Sequence, residues 1–298
     1  MAEDAPSKPA VLILGGCGFV GRNLVGMLVE KELCAKIRVV DKTMPAMAFL
    51  APDQKAAFDS PIVEYVQGDL SRQAAVDKAF GGASFQYVFN LTYDGIPFGQ
   101  ADEVYQQRIV DICAKVGAAA AQAGIKRFVD LSTAQVYTST EKAADESAKL
   151  KPWTKQASFK LQAEEALRAL GLPLVVLRVA TVYGRGDLQG LTPRVICAAV
   201  YKHLDEKMKF LWDSKLRINV APRDPNPLFV NCDTPNPART HSAVKAVLYA
   251  CGLPPRTGIT CQTLGSAPAQ RNRRNRPLAR GRRSTWATSA LRCGTWPP

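Results

Sequence analysis

Histidine is nearly missing from this chain. Only His203 and His241 occur in 298 residues, too few for a His-rich metal site or a histidine-based catalytic triad, and no metal centre is expected. Closely paired cysteines are missing too. The eight cysteines are scattered from Cys17 to Cys293 with no CxxC pair, so a disulfide scaffold is not indicated. There is no clean membrane-spanning run: Val11 to Val29 is apolar but contains five glycines, Arg22 and Asn23, and a charge at mid-bilayer costs about 2.5 kcal/mol or more. The opening MAEDAPSKPA lacks the basic start and apolar stretch of a signal peptide. These absences predict a soluble, cytoplasmic protein with no membrane partner. With 47% hydrophobic and 22% charged residues, disorder of the whole chain is excluded and there is enough apolar material for a core.

Acidic residues are scarce in one region only. Residues 220–298 hold 12 Lys+Arg against 2 Asp+Glu, whereas residues 1–219 hold 27 against 24. The net charge of +13 therefore belongs mostly to the C-terminal stretch. The seven arginines from Arg271 to Arg283 would give sequence-blind, salt-dependent phosphate binding at most, and a nucleic-acid partner is not expected.

Apolar runs of strand length alternate with helical stretches. Strands are expected at Val11–Leu14, Ile37–Asp41, Val63–Val66, Tyr87–Leu91, Arg127–Leu131 and Leu174–Val179. Helices are expected at Arg22–Glu32, Asp102–Ala123 ending at Gly124, and Ser158–Leu170 ending at Gly171. Strands this apolar require cover on both faces, so the pattern predicts a doubly wound α/β fold with a parallel sheet. The formal sequon Asn90-Leu91-Thr92 falls in a buried strand, so glycosylation is not expected. The division expected is a disordered segment over 1–9, a main domain over 10–219, an irregular stretch over 220–264 and a disordered basic tail over 265–298. Val220 to Pro237 carries five prolines and no periodicity; beyond it only Ser242–Cys251 looks helical.

The first strand runs into Gly15-Gly16-Cys17-Gly18-Phe19-Val20-Gly21, which opens a helix. Such a turn uses glycine for positive φ, expected at Gly18 in particular, for approach of a pyrophosphate to the backbone, and for close packing of helix on strand. Helix N-termini add free N–H groups and a positive dipole end. The registers GxxGxxG and GxGxxG both fit. Asp41 ends the second strand, 20 residues beyond Gly21, where an acid that receives ribose hydroxyls belongs. It favours NAD; Lys42 beside it keeps NADP open.

These residues resemble the extended short-chain dehydrogenase/reductase superfamily, in its NAD-dependent epimerase/dehydratase group. GGCGFVG is similar to the glycine motif, Gln67-Gly68-Asp69-Leu70 to the segment after strand three, and Asn90-Leu91-Thr92 to the end of strand four. Leu131 to Tyr137 resembles the strand-five motif ending in Val-Tyr. Arg178 to Gly184 resembles the strand-six motif, with Val179 where proline is usual. Leu33 to Lys42 also resembles the 3β-hydroxysteroid dehydrogenase branch. The resemblance covers about residues 10–219. It implies a Rossmann-like fold, cofactor contacts from Gly15, Gly18, Phe19, Val20, Gly21, Asp41, Lys42, Asp69, Leu70, Asn90 and Lys160, a small-molecule substrate, and dimers through the helices after strands four and five.

The same resemblance exposes a departure. The family's Tyr-x-x-x-Lys pair aligns its lysine with Lys160 and puts Gln156 in the tyrosine's place. An amide is no acid–base catalyst near neutral pH, and no tyrosine lies between Tyr137 and Tyr183. Thr133 matches the family's Ser/Thr and would polarise a substrate oxygen; Lys155 or a water would have to take over the tyrosine's proton. Read without a ligand, Lys160 is a solvated helix lysine, Thr133 a strand-end hydroxyl satisfied by backbone, Asp69 a cap and Gln156 a surface residue. After Asn219 the family's pattern gives way to proline-rich and arginine-rich sequence, which implies a truncated or rewritten small C-terminal lobe. The functional expectation is an NAD-dependent oxidoreductase or epimerase/dehydratase acting on a hydroxyl-bearing carbon of a nucleotide sugar or sterol-like substrate. The alternative is a catalytically inactive NAD(P)-binding sensor or scaffold.

Overall fold

Alternate residues of the first strand face different cores. In β1 (Ala10–Leu14), Val11 and Ile13 enter one apolar cluster and Leu12 and Leu14 the other. A strand buried on both sides needs apolar residues at consecutive positions, which is why it reads as an unbroken run. The computed structural model describes residues 8–93, 96–97, 99–138, 148–184, 186–207, 220–222 and 230–232.

The remaining sheet strands are β2 (Lys36–Asp41), β3 (Val63–Gln67), β4 (Tyr87–Asn90), β5 (Arg127–Thr133) and β6 (Leu174–Val179). Their order is β3-β2-β1-β4-β5-β6, all parallel. Leu14 lies opposite both Val40 and Asn90, and Asn90 opposite Asp130. The order reverses direction at β1, so the carboxyl ends of β1 and β4 flank the crevice where open α/β sheets take ligands. Helices α1 (Phe19–Glu30) and α2 (Pro52–Phe58) supply Leu24, Leu28 and Phe58 to one core. On the opposite face, α3 (Gln73–Phe80), α5 (Ile112–Gln122) and α6 (Lys155–Ala169) supply Val76, Val116 and Leu167. This is the doubly wound, Rossmann-like fold.

Differences from expectation are local. Helix α1 begins three residues early because Gly18 is its N-cap. The helix expected over Asp102–Ala123 is α4 (Asp102–Tyr105), a π-helical turn (Gln106–Asp111) and α5; the i→i+5 turn leaves no mark on apolar spacing. Helices α2 and α3 are too short to show a periodicity. Helix α7 (Leu191–His203) has no buried residue and exposes Val195, Ile196 and Val200. Within 220–264, expected to be irregular, β8 (Val220–Pro222) pairs parallel with β7 (Thr181–Tyr183), and β9 (Val230–Cys232) adds antiparallel to β6. Three-residue strands are too short to leave an alternation. The disordered segment expected at 1–9 lies, up to residue 7, outside the described residues, as do the helix at Ser242–Cys251, the remainder of 233–264 and the basic tail over 265–298. The chain divides into one unit of Met1–Met208 with Asn219–Pro254, and a second of Lys209–Ile218 with Pro255–Pro298; the second is outside the described residues.

Helix α6 is fastened to the sheet by a charge. Glu164 is fully buried and accepts from Arg178 of β6 through Nη2 at 2.7 Å and Nε at 3.2 Å, and from the Ser132 hydroxyl of β5. Arg178 Nη1 in turn donates to the Tyr137 hydroxyl at 2.9 Å. Removing one partner of such a pair strands the other in a medium that cannot solvate it. Glu164→Ala is therefore expected to cost about 3–5 kcal/mol of stability, read by urea denaturation, and Glu164→Ala/Arg178→Met together less than that.

Candidate functional site

The glycine-rich turn is built at the carboxyl end of β1. Gly15 has φ +78° and donates its N–H to the Val40 carbonyl at 2.8 Å. A Cβ there would lie 2.7 Å from the Leu91 carbonyl oxygen, and one at Gly21 would lie 2.5 Å from the Gly16 Cα. Backbone against backbone leaves no group free to move aside, so both positions require glycine. Gly16 is also crowded, with Val39 Cγ1 2.5 Å from its Cβ position. Gly18 corrects the expectation of positive φ: it has φ −66° and ψ 173°, the extended geometry of an N-cap. The N-cap glycine has no side chain with which to cap the helix, and a helix start carries the anion-attracting end of the dipole. Phe19 and Val20 form that first turn, Val20 buried.

Asp41 is bonded to the turn. Its Oδ2 accepts from the Cys17 N–H at 2.9 Å and its Oδ1 from the Thr43 N–H at 2.9 Å. A carboxylate has about four acceptor positions, so these bonds leave capacity for two hydroxyls. Arg22 braces the turn from α1, donating to the Cys17 carbonyl at 2.9 Å and the Gly18 carbonyl at 3.2 Å. Burial and the neighbouring Asp41 charge push the Cys17 thiol up to about 12, so it is no nucleophile at neutral pH. Lys42 is exposed, its carbonyl accepting from Gln67. Asp69 Oδ1 accepts from the Ser71 N–H at 3.0 Å, which holds its carboxyl below the usual range; it caps a turn and is exposed, while Leu70 is buried.

The other half of the site lies at the ends of β4 and β5. Asn90 is fully buried; its amide donates to the Tyr93 hydroxyl at 2.7 Å and Asp130 Oδ1 at 2.8 Å, and its carbonyl accepts from the Thr92 hydroxyl. Thr133 accepts from the Gln135 N–H at 3.3 Å, a backbone role that leaves its hydroxyl proton available. Thr154 caps α6 by accepting from the Ala157 N–H and donates to the Gln135 side chain at 2.9 Å. Gln156, half-buried, is the second residue of α6, and Lys160 follows one turn later on the same face. Lys160 Nζ lies 5.3 Å from the centre of the Tyr93 ring. Lys155 does not stand in for a tyrosine: its exposed ammonium is paired with Asp102 at 2.8 Å, which raises its pKa further.

The structure thus gathers Gly15, Gly18, Gly21, Asp41, Asp69, Asn90 and Thr133 along the carboxyl edge of the sheet, with Lys160 over Tyr93. The sequence reading missed Tyr93 and Asp130. An aspartate within the buried strand, between Val129 and Leu131, is the signal that points to them, because a charge is not placed in a buried strand without partners. Among the described residues there is no cluster of His, Cys, Asp and Glu suited to a metal ion, and no helix long and apolar enough to cross a membrane.

The model of the NAD dependent epimerase/dehydratase family matches residues 11–217. A trifunctional UDP-glucose 4,6-dehydratase/UDP-4-keto-6-deoxy-D-glucose 3,5-epimerase/UDP-4-keto-L-rhamnose-reductase of Arabidopsis thaliana is 26% identical over 211 residues, covering 66% of this chain and 31% of that protein. The 3beta-hydroxysteroid-dehydrogenase/decarboxylase isoform 2 of the same plant is 26% identical over 210 residues, covering 63% of this chain and 35% of its own length. The chain thus spans about a third of these relatives. In fold, it is similar to UDP-glucuronic acid 4-epimerase from Bacillus cereus in complex with NAD, with a TM-score of 0.60, 17% identity, and 72% and 69% of the two chains covered.

Two glycines of α1 give a paired test of the turn's geometry. Gly21→Ala is expected to lower stability by about 1–3 kcal/mol through overpacking. Gly26→Ala, where a Cβ meets nothing within 4 Å, is expected to raise it by about 0.5–1 kcal/mol through helix propensity. Thermal unfolding of both variants checks the opposite signs.

Proposed function

The chain belongs to the NAD dependent epimerase/dehydratase family, and from that premise we propose that it binds NAD as an oxidoreductase or epimerase/dehydratase acting on a hydroxyl-bearing carbon of a nucleotide sugar or sterol-like substrate. The observation that carries the reading is the Asp41 carboxylate bonded at 2.9 Å to the N–H of Cys17 in the glycine turn. Turn and acid form one unit at the ends of β1 and β2, with acceptor capacity left for ribose hydroxyls. Gly15, Gly18 and Gly21 admit the pyrophosphate to the backbone; Phe19 and Val20 stand in the first turn of α1, where the positive end of the helix dipole attracts phosphate. Asp69 and Leu70 border the adenine, Lys42 lies beside the ribose, and Asn90 closes the floor. A carboxylate repels a 2′-phosphate, which favours NAD over NADP.

Bound NAD supplies a reversible acceptor for hydride. The chain's own part is orientation: Lys160 holds the nicotinamide ribose with its ammonium, and the Thr133 hydroxyl donates to the substrate oxygen. Gln156 neither gives nor takes a proton, so the proton leaves through water at this position. Gln156, with Lys155 committed to Asp102, favours a second reading: a dinucleotide-binding sensor or scaffold without turnover.

Calorimetric titration tests the binding. NAD is expected to bind and NADP to bind less well. Asp41→Ala is expected to weaken NAD by about 1–3 kcal/mol, the scale of hydrogen bonds to a charged group, and to narrow the gap to NADP. No heat from either nucleotide, or unchanged NAD affinity in Asp41→Ala, overturns the cofactor assignment. Absorbance at 340 nm with panels of nucleotide sugars and hydroxysteroids tests turnover. Turnover by the wild type supports the enzyme reading; turnover seen only in Gln156→Tyr supports the sensor or scaffold.

A further inference from the structure

Asp130 is an expensive residue where it stands. It lies mid-strand in β5, 1% exposed, among the apolar residues that cover the sheet. A carboxylate there needs donors and a counter-charge, and an apolar side chain of like volume would cost less. The donors are two neutral groups converging on one oxygen: the Asn90 amide at 2.8 Å and the Tyr93 hydroxyl at 3.1 Å, themselves bonded at 2.7 Å. The counter-charge is Lys160, whose ammonium lies over the Tyr93 ring at 5.3 Å and draws electrostatically on the Asp130 carboxylate. A ring face adds its own attraction for a cation.

We propose that Asp130 is a positioning residue for Lys160: with Asn90 and Tyr93 it seats the lysine ammonium against the Tyr93 ring and so sets the affinity of the site for the nicotinamide end of the dinucleotide. The affinity half of this inference rests on the NAD reading above; the seating of Lys160 does not. The lysine arrives on α6 and its seat comes from β4, β5 and the turn after β4, so the network ties α6 to the strand ends of the second half of the site.

The same geometry makes the seat respond to pH. The titratable groups facing Asp130 are Tyr93 after β4, Cys113 on α5, and Lys160 and Glu164 on α6. Burial pushes the Asp130 carboxyl up to about 7, with Asn90, Tyr93 and Lys160 drawing it down and Glu164 adding to the rise. Above neutrality the ionised carboxylate holds the ammonium; as pH falls through about 7 the carboxyl takes a proton and the hold is lost. Tyr93 and Cys113 are pushed upward by burial and stay neutral through this range.

Two measurements test the proposal. Calorimetric titration of the wild type with NAD at pH 6 and pH 8 is expected to give about 3–10-fold tighter binding at pH 8, the scale on which loss of one nearby charge acts. Asp130→Asn is expected to bind weakly at both pH values, with the difference abolished and the thermal unfolding midpoint retained. The second measurement needs no NAD. The Asp130 carboxyl carbon, followed by NMR in protein labelled at aspartate, is expected to titrate near neutrality, and to titrate higher in Lys160→Met. A wild-type pH profile in Asp130→Asn, or a carboxyl midpoint unmoved by Lys160→Met, overturns the proposal. A wild type that takes up no NAD at either pH overturns the cofactor reading and the affinity half of this one, while the carboxyl titration still upholds or overturns the seating of Lys160.

Discussion

A carboxylate cut off from solvent decides where helix α6 lies. Glu164 binds Arg178 and Ser132, which stand on neighbouring strands, so the helix is pinned in both translation and rotation. Apolar packing through Ala163 and Leu167 is non-directional and would tolerate sliding by a fraction of a turn; a bidentate ion pair would not. Gln156 and Lys160 lie two turns and one turn before Glu164, respectively, on the same face. Their placement at the ends of β4 and β5 is inherited from that pairing. Through Arg178 the constraint reaches the Tyr137 hydroxyl and holds the segment that follows Thr133.

The parallel sheet was legible because burial on both faces enforces unbroken apolar runs: Val11 to Leu14 and Leu174 to Val179 carry their position in composition alone. The glycine turn was legible because backbone approaches of 2.5 and 2.7 Å admit one residue type. Helix α7 was not, since it buries nothing, and neither was the π-helical turn at Gln106–Asp111, which changes hydrogen bonding without changing the residues. Positive φ expected at Gly18 belongs to Gly15, because a glycine pattern states where side chains are forbidden and not for which reason. Asp130 and Tyr93 went unread for a related cause: their partners, Asn90 and Lys160, stand up to 67 residues away in sequence, and pairings of that kind become visible only after the strands are assembled.

Turn, acid and strand ends of the first half are tied to one another by backbone groups. In the second half, Thr154 caps α6, Gln135 fastens that cap to the segment after β5, and Lys160 faces Tyr93. The start of α6 is thus tied to the segment after β5 by side chains on either side of Gln156, an amide that moves no proton.

The bond between Asp41 and the Cys17 N–H has a kinetic side. Because the carboxylate fastens the turn in the free chain, the backbone there is arranged before any ligand arrives, and the ordering cost that a loose loop would impose on association is already met within the fold. On the proposed reading, encounter and capture are then expected to merge into one step whose rate rises in proportion to ligand concentration, with no plateau from a preceding rearrangement. Losing the carboxylate, on the proposed reading, removes a ligand contact and also frees the turn to adopt shapes of which only some accept the ligand. On that reading the same residue governs how long a ligand stays and how often an encounter succeeds.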